Sequence, residues 1–144
     1  MTVSQILNSK GRKVITASPD QKMSEVAQLL AEKKIGAVVI VDARGKIEGI
    51  ASERDFVRAI AKEGAAALDR PVRDLMTAKV KTCTPRDTEA ELMSLMTEHR
   101  IRHLPVLQDG RLAGMISIGD VVKFRIEAIE REAEEMKTYI ASAG

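Results

Sequence analysis

The chain has little to stack, little to cross-link and no run of residues long enough to span a membrane. Of its 144 residues two are Phe, one is Tyr and none is Trp, which leaves almost no ring surface on which a single-stranded nucleic acid could stack its bases. Cys83 is the lone cysteine. That excludes an internal disulfide and suits a reducing compartment. An excess of one charge is also missing, since Lys+Arg 23 against Asp+Glu 21 gives +2 with the signs interspersed, too weak a field to select a polyanion or a membrane surface. Met1-Thr2-Val3-Ser4-Gln5 offers no basic region ahead of an apolar stretch, and charged residues interrupt every apolar run. These absences describe a soluble, cytoplasmic protein. Its 44% hydrophobic content suffices for one compact core of ordinary domain size.

What is present is a repeat. Gly49-Ile50-Ala51-Ser52-Glu53-Arg54-Asp55 returns as Gly114-Met115-Ile116-Ser117-Ile118-Gly119-Asp120, each closing an apolar run and opening a helical one. Ser18-Pro19 returns as Thr84-Pro85 at an offset of 66, kept from Ile35 to Ile101 before a one-residue slip at the next turn. Val72-Arg73-Asp74-Leu75-Met76 echoes Val3-Ser4-Gln5-Ile6-Leu7.

Each copy reads as short strand, helix, strand, turn, strand, helix. Val14-Ile15-Thr16 is β-branched and is stopped by Ser18-Pro19. From Ser24 the apolar residues Val26, Ala27, Leu29 and Leu30 have helical spacing, which Gly36 ends. Ala37 to Val41 and Ile47 to Ala51 flank a turn and predict a hairpin, followed by a helix from Glu53 to Lys62. In the second copy Thr88-Glu89-Ala90-Glu91 fits a capping box, and Arg102 to Leu107, Asp109-Gly110 and Leu112 to Ser117 rebuild the hairpin. The repeats are placed at 1–68 and 69–126, with a C-terminal helical extension over 127–144. Neither copy could bury its apolar sheet face alone, so two sheets packed together about a pseudo-twofold axis are expected.

This order, the Gly-hydrophobic-x-Ser-x-x-Asp ending and the strand Arg102-His103-Leu104-Pro105-Val106 resemble the cystathionine β-synthase (CBS) domain family, whose tandem pairs form Bateman modules. The resemblance covers about Val3 to Ile126 and leaves no length for a catalytic domain. It implies an α/β (α+β) fold of two β-α-β-β-α repeats and no enzymatic activity. It also implies an adenosine-containing ligand (AMP, ADP, ATP, NAD(H) or S-adenosylmethionine) held in clefts between the halves. Carried over, it assigns Thr82, Arg102, His103, Leu104, Pro105, Ser117 and Asp120 to a second-repeat cleft, and Thr16, Gly36, Ala37, Ser52 and Asp55 to a weaker first-repeat cleft.

The chemistry of these residues is consistent with that assignment. One ionised carboxylate can accept hydrogen bonds from both hydroxyls of a ribose, each worth about 1.5–3 kcal/mol when charge-assisted, and a helix start turns free N–H groups toward a phosphate. The plain alternative is that Ser-x-x-Asp merely caps a helix. Its duplication behind Gly49 and Gly114, which would let a ligand approach the backbone, favours the nucleotide reading.

Arg102 and His103 stand where the first copy has Gly36 and Ala37, so the second cleft is expected to hold the phosphate-binding cations, with Arg54 reaching across to complete it. His99 and His103 are four apart, but Arg100 lies between them and no third ligand is indicated, so no metal site is expected. Cys83 reads as a small buried hydrophobe.

Val122, Ile126, Ile129, Ala133, Met136 and Ile140 alternate steps of four and three, an a/d seam. Such a seam packs back on the body or meets a second copy; a homodimer is the favoured reading. Together these features describe an adenine-nucleotide sensor reporting to an unidentified effector protein. The alternatives are a constitutive scaffold without ligand and, with only the pI of about 8.8 in its favour, a nucleic-acid binder.

Overall fold

The computed structural model describes residues 1–143. In chain order it contains α1 (Val3–Lys10), β1 (Thr16–Ala17), α2 (Met23–Lys33), β2 (Ala37–Val41), β3 (Ile47–Ser52), α3 (Glu53–Glu63), 3-10 segments at Gly64–Asp69 and Val72–Asp74, α4 (Glu89–His99), β4 (His103–Gln108), β5 (Arg111–Ser117) and α5 (Ile118–Ala143). The first sheet has the order β1-β2-β3, parallel then antiparallel; the second is the β4-β5 hairpin. The expected opening strand of the second copy shrinks to one parallel bridge between Cys83 and Val106. It matches the Ala17 to Ile40 pairing of the first copy.

The repeat persists in the register. Ala37 faces Ser52 as His103 faces Ser117, and both hairpins are irregular at corresponding positions, Ile40/Val41 and Val106/Leu107. Asp109 and Gly110 both have positive φ, as the tight Asp-Gly turn requires. Of the expected capping box at α4, one arm forms among the described residues: the Glu91 N–H donates to Thr88 Oγ1 at 3.2 Å.

The buried apolar residues do not form one sheet-on-sheet core. They fall into two clusters, one under each sheet, and each recruits the opening segment of the other repeat. Val3, Ile6 and Leu7 of α1 are packed with Cys83, Leu92, Met96, Leu104, Val106 and Ile116 of the second copy. Val72, Leu75 and Met76 are packed with Val26, Leu30, Val38, Ile40 and Phe56 of the first. Backbone bonds seal the exchange symmetrically. The N–H groups of Val3 and Ser4 donate to Asp87 and Pro85, and those of Val72 and Arg73 donate to Gln21 and Pro19. The packing units therefore cross the boundary between 1–68 and 69–126.

Gly49 and Gly114 are needed for this exchange and not for ligand approach. A Cβ on Gly114 would meet Leu7 Cδ2 at 2.6 Å; one on Gly49 would meet Met76 Sδ at 2.6 Å and the Thr77 carbonyl oxygen at 2.9 Å. Strand residues without side chains make the notches into which the exchanged segments lock.

A difference between the two notches is testable. Leu7 can swing its terminal methyl aside, whereas at Gly49 the Thr77 carbonyl is held by paired bonds to Ile50. Gly114→Ala is expected to cost about 1 kcal/mol and Gly49→Ala about 2–3 kcal/mol, read from chemical denaturation midpoints. Equal costs would show that the notch at Gly49 relaxes as freely as the other.

Candidate functional site

Two open cavities lie where the halves meet, and Gly36 and His103, near the heads of β2 and β4, border both. A Cβ on Gly36 would stand 3.5 Å from the imidazole. The first cavity, about 360 Å³, is lined by Ser52, Glu53, Arg54, Asp55 and Arg58 around the start of α3, by Ile50 and Thr77, and by the run from His99 to His103. The second, about 330 Å³, is lined by Met115, Ser117 and Asp120, by Lys10 of α1, by Lys13, Val14 and Ile15, and by Lys34 and Ile35 after α2. Both volumes suit a small ligand.

In each cavity the duplicated motif caps a helix. The Ser117 N–H donates to Asp120 Oδ2 at 2.8 Å and the Asp120 N–H to Ser117 Oγ at 3.1 Å. In the first copy the Ser52 N–H and hydroxyl donate to Asp55 Oδ2 at 2.9 and 3.1 Å. Capping is thus real, yet it engages one oxygen of each carboxylate. Asp120 Oδ1 accepts no hydrogen bond among the described residues; Asp55 Oδ1 has the Thr77 hydroxyl at 3.5 Å and the Arg58 guanidinium at 3.9 Å.

The exchanged segments deliver a residue to each motif. Lys10 Nζ, one turn beyond Leu7, bonds Asp120 Oδ2 at 2.5 Å and the Met115 carbonyl at 2.8 Å. Thr77 follows Met76 and reaches Asp55. Burial pushes the Asp120 carboxyl up, but the Lys10 ammonium and the Ser117 N–H outweigh it and hold it below the usual carboxylate range. For His103 burial dominates and pulls the imidazole below its ordinary value, with Asp120 opposing. Cys83, 2% exposed, has its thiol pushed up to about 12, mainly by burial, and is a core residue.

The expected grouping of site residues changes in four respects. Arg102 lies in the cavity of Ser52 and Asp55, not in that of Ser117 and Asp120, because neighbouring residues entering a strand project to opposite sides; His103 borders both, as do Gly36 and Ala37. Arg54 lines the cavity of its own motif instead of reaching across. The cavity expected to lack cations therefore holds Arg54, Arg58, Arg100 and Arg102. Thr16 and Thr82 line neither cavity, and Val14 and Ile15 stand in place of Thr16. Leu104 belongs to the second core and the Pro105 carbonyl accepts from the Cys83 N–H, so both lie beneath the site.

Lys10, Lys13, Lys34, Thr77, Arg58 and Arg100 were not anticipated. Lys34 and Arg100 left a trace in the sequence, a cation 66 residues from a cation directly after the equivalent helices α2 and α4. Among the described residues no group of three His, Cys, Asp or Glu side chains is placed to hold a metal ion, and no helix is long and apolar enough to cross a membrane.

Comparison with known proteins agrees with this architecture. The CBS domain model matches residues 3–62 and 72–127, and the chain belongs to the CBS domain family as a tandem pair. The mitochondrial CBS domain-containing protein CBSX3 of Arabidopsis thaliana is 33% identical over 147 residues, covering 96% of this chain and 71% of that one. The CBS-domain protein ATU1752 of Agrobacterium tumefaciens superposes with a TM-score of 0.85 at 50% identity, covering 86% of this chain and 92% of that one. The CBS domain protein PAE2072 of Pyrobaculum aerophilum, solved in complex with AMP, superposes with a TM-score of 0.75 at 28% identity, covering 83% and 89%.

The depressed imidazole has a thermodynamic consequence. The unfolded His103 takes up its proton at about pH 6.5, before the folded one does, so its contribution is present above that pH and is lost as pH falls below it. The lowered Asp120 acts in the same direction further down, below the ordinary carboxylate value of 3.8. Scanning calorimetry from pH 7.5 to 5.5 is expected to show a falling Tm, and His103→Gln a flatter profile; an unchanged slope in the variant would assign the loss to other groups.

Proposed function

We propose that the chain is a non-catalytic regulatory module that binds an adenosine nucleotide between its halves and passes the ligand state to an effector protein as a homodimer in a reducing, cytoplasm-like compartment. The observation that carries this reading is the pair of capped Ser-x-x-Asp motifs, each opening onto a cavity that cations of the other repeat also line: Arg100 and Arg102 with Asp55, Lys10 and Lys34 with Asp120. A carboxylate for the ribose and cations for the phosphate then line one cleft from different repeats, so a bound nucleotide bridges the halves. The AMP bound by the Pyrobaculum protein supports the ligand class. Ligand binding acts by differential affinity, favouring the relative orientation of the halves in which both walls are engaged.

Calorimetry with AMP, ADP, ATP, NADH and S-adenosylmethionine is expected to give micromolar binding, about −8 kcal/mol, for an adenosine nucleotide. Asp55→Asn and Asp120→Asn, which keep the side-chain shape, are each expected to weaken their own cavity by roughly ten- to hundredfold. Unchanged affinity in both would return the aspartates to capping alone, and no heat with any nucleotide would leave the constitutive scaffold.

The dimer is supported by α5. Its 26 residues extend about 39 Å, yet Val121 and Ala128 are its only buried residues. Val122, Ile126, Ile129, Met136, Tyr139 and Ile140 are exposed, joined on α3 by Val57 and Ile60. The seam does not pack back on the body, so water or a second copy must cover it. Light scattering is expected to give a dimeric mass for the native chain and a monomeric mass for the Ile129→Asp, Met136→Asp double variant, whose sites are exposed at 54% and 60% and so should fold normally. A native monomer would defeat this reading.

A further inference from the structure

We infer that the cavity beside Ser52 and Asp55 reads polyphosphate: it selects a nucleoside di- or triphosphate over the monophosphate, and Arg100 is held in a strained backbone conformation to do so. This inference rests on the nucleotide reading above and assigns a ligand class to one of the two cavities.

Arg100 is the residue after α4, with φ 54 and ψ 44, and the following Ile101 N–H closes the helix on Met96 O at 3.0 Å. Glycine is the residue for which this left-handed position is free of strain. Lys34 repeats the arrangement after α2, with φ 54 and ψ 46 and the Ile35 N–H on Leu30 O at 3.1 Å. Both copies thus hold a long cation where glycine would relax the chain, and each cation lines the cavity of the other repeat's motif. The helix dipole alone does not account for them. Lys33 and His99 already supply basic residues to the last turns, and a dipole does not call for a left-handed residue. Strain of this kind gathers where a ligand needs a group in one place.

The two cavities then differ in what their cations can do. In the second, Lys10 is committed to Asp120. In the first, Arg54, Arg100 and Arg102 form no salt bridge among the described residues, and Arg58 is 3.9 Å from Asp55. A guanidinium is a planar fork that pairs with two phosphate oxygens at once, which a lysine cannot do. A single phosphate brings about two negative charges, fewer than the three unpaired guanidiniums, and a chain of two or three phosphates brings more charge and more oxygens to match them. The start of α3, which carries Arg54 and Arg58, borders the same cavity.

Calorimetry on the full chain with adenosine, AMP, ATP and inorganic tripolyphosphate at one ionic strength tests this, with Arg100→Gly, Arg100→Lys and Lys34→Gly alongside. ATP is expected to bind its tighter site at least roughly tenfold better than AMP, and tripolyphosphate to compete for that site. Arg100→Gly should weaken ATP and tripolyphosphate by roughly tenfold and leave adenosine unchanged. It should also raise Tm by about 3 °C as the strain is released, a gain that a misfolded variant could not show. Arg100→Lys should fall between, and Lys34→Gly should gain in Tm without altering the preference for ATP. Equal affinities for AMP and ATP would overturn the inference and leave the nucleotide reading standing. Equal losses of adenosine and ATP in Arg100→Gly would make Arg100 structural and overturn it too, and no heat from any of the four compounds would end both.

Discussion

The locking of Leu7 over Gly114 and of Met76 over Gly49 is the contact on which the remaining architecture depends. Each repeat gives its opening segment to the other, so neither core is complete without residues from both copies. The exchange also builds the site, because the residues following each locked side chain arrive at the opposing motif: Lys10 at Asp120 and Thr77 at Asp55. A defect in either notch would therefore disturb stability and site electrostatics together.

Reciprocal exchange creates two cavities that are alike in plan and unlike in chemistry. Both pair a capped aspartate with a left-handed cation from the other copy. One cavity has a lysine already neutralising its carboxylate, and the other has, besides Arg58 near Asp55, three guanidiniums without carboxylate partners among the described residues. Gly36 and His103 stand between them, so a ligand on one side meets the same imidazole as a ligand on the other. A Cβ at Gly36 would stand in ordinary contact with that ring, so both side chains could occupy the boundary together.

The terminal helix stands apart from this economy of shared residues. It is anchored near its start through Val121 and Ala128 and by the Arg125 pair with the buried Glu89, after which its apolar positions face outward. A seam that the body leaves uncovered is a surface for association. Because the same helix begins at Ser117 and Asp120, a change at the second cavity has a direct mechanical route to that surface.

Periodicity and punctuation in the sequence determined the elements and the repeat: the 66-residue offset, the two hairpins, the helix starts at Ser52 and Ser117, the buried Cys83 and the terminal seam are all consequences of local spacing and of residues that cap or turn. The family resemblance rested on those same local features. Tertiary structure decided which copy's residues meet. That Arg102 would join Asp55, that Leu104 and Pro105 would sit beneath the site, and that Gly49 and Gly114 would receive side chains instead of ligand all follow from segments crossing between repeats. Linear order does not record such crossing, because the notch and the side chain filling it are far apart in the chain and become complementary only once both sheets exist.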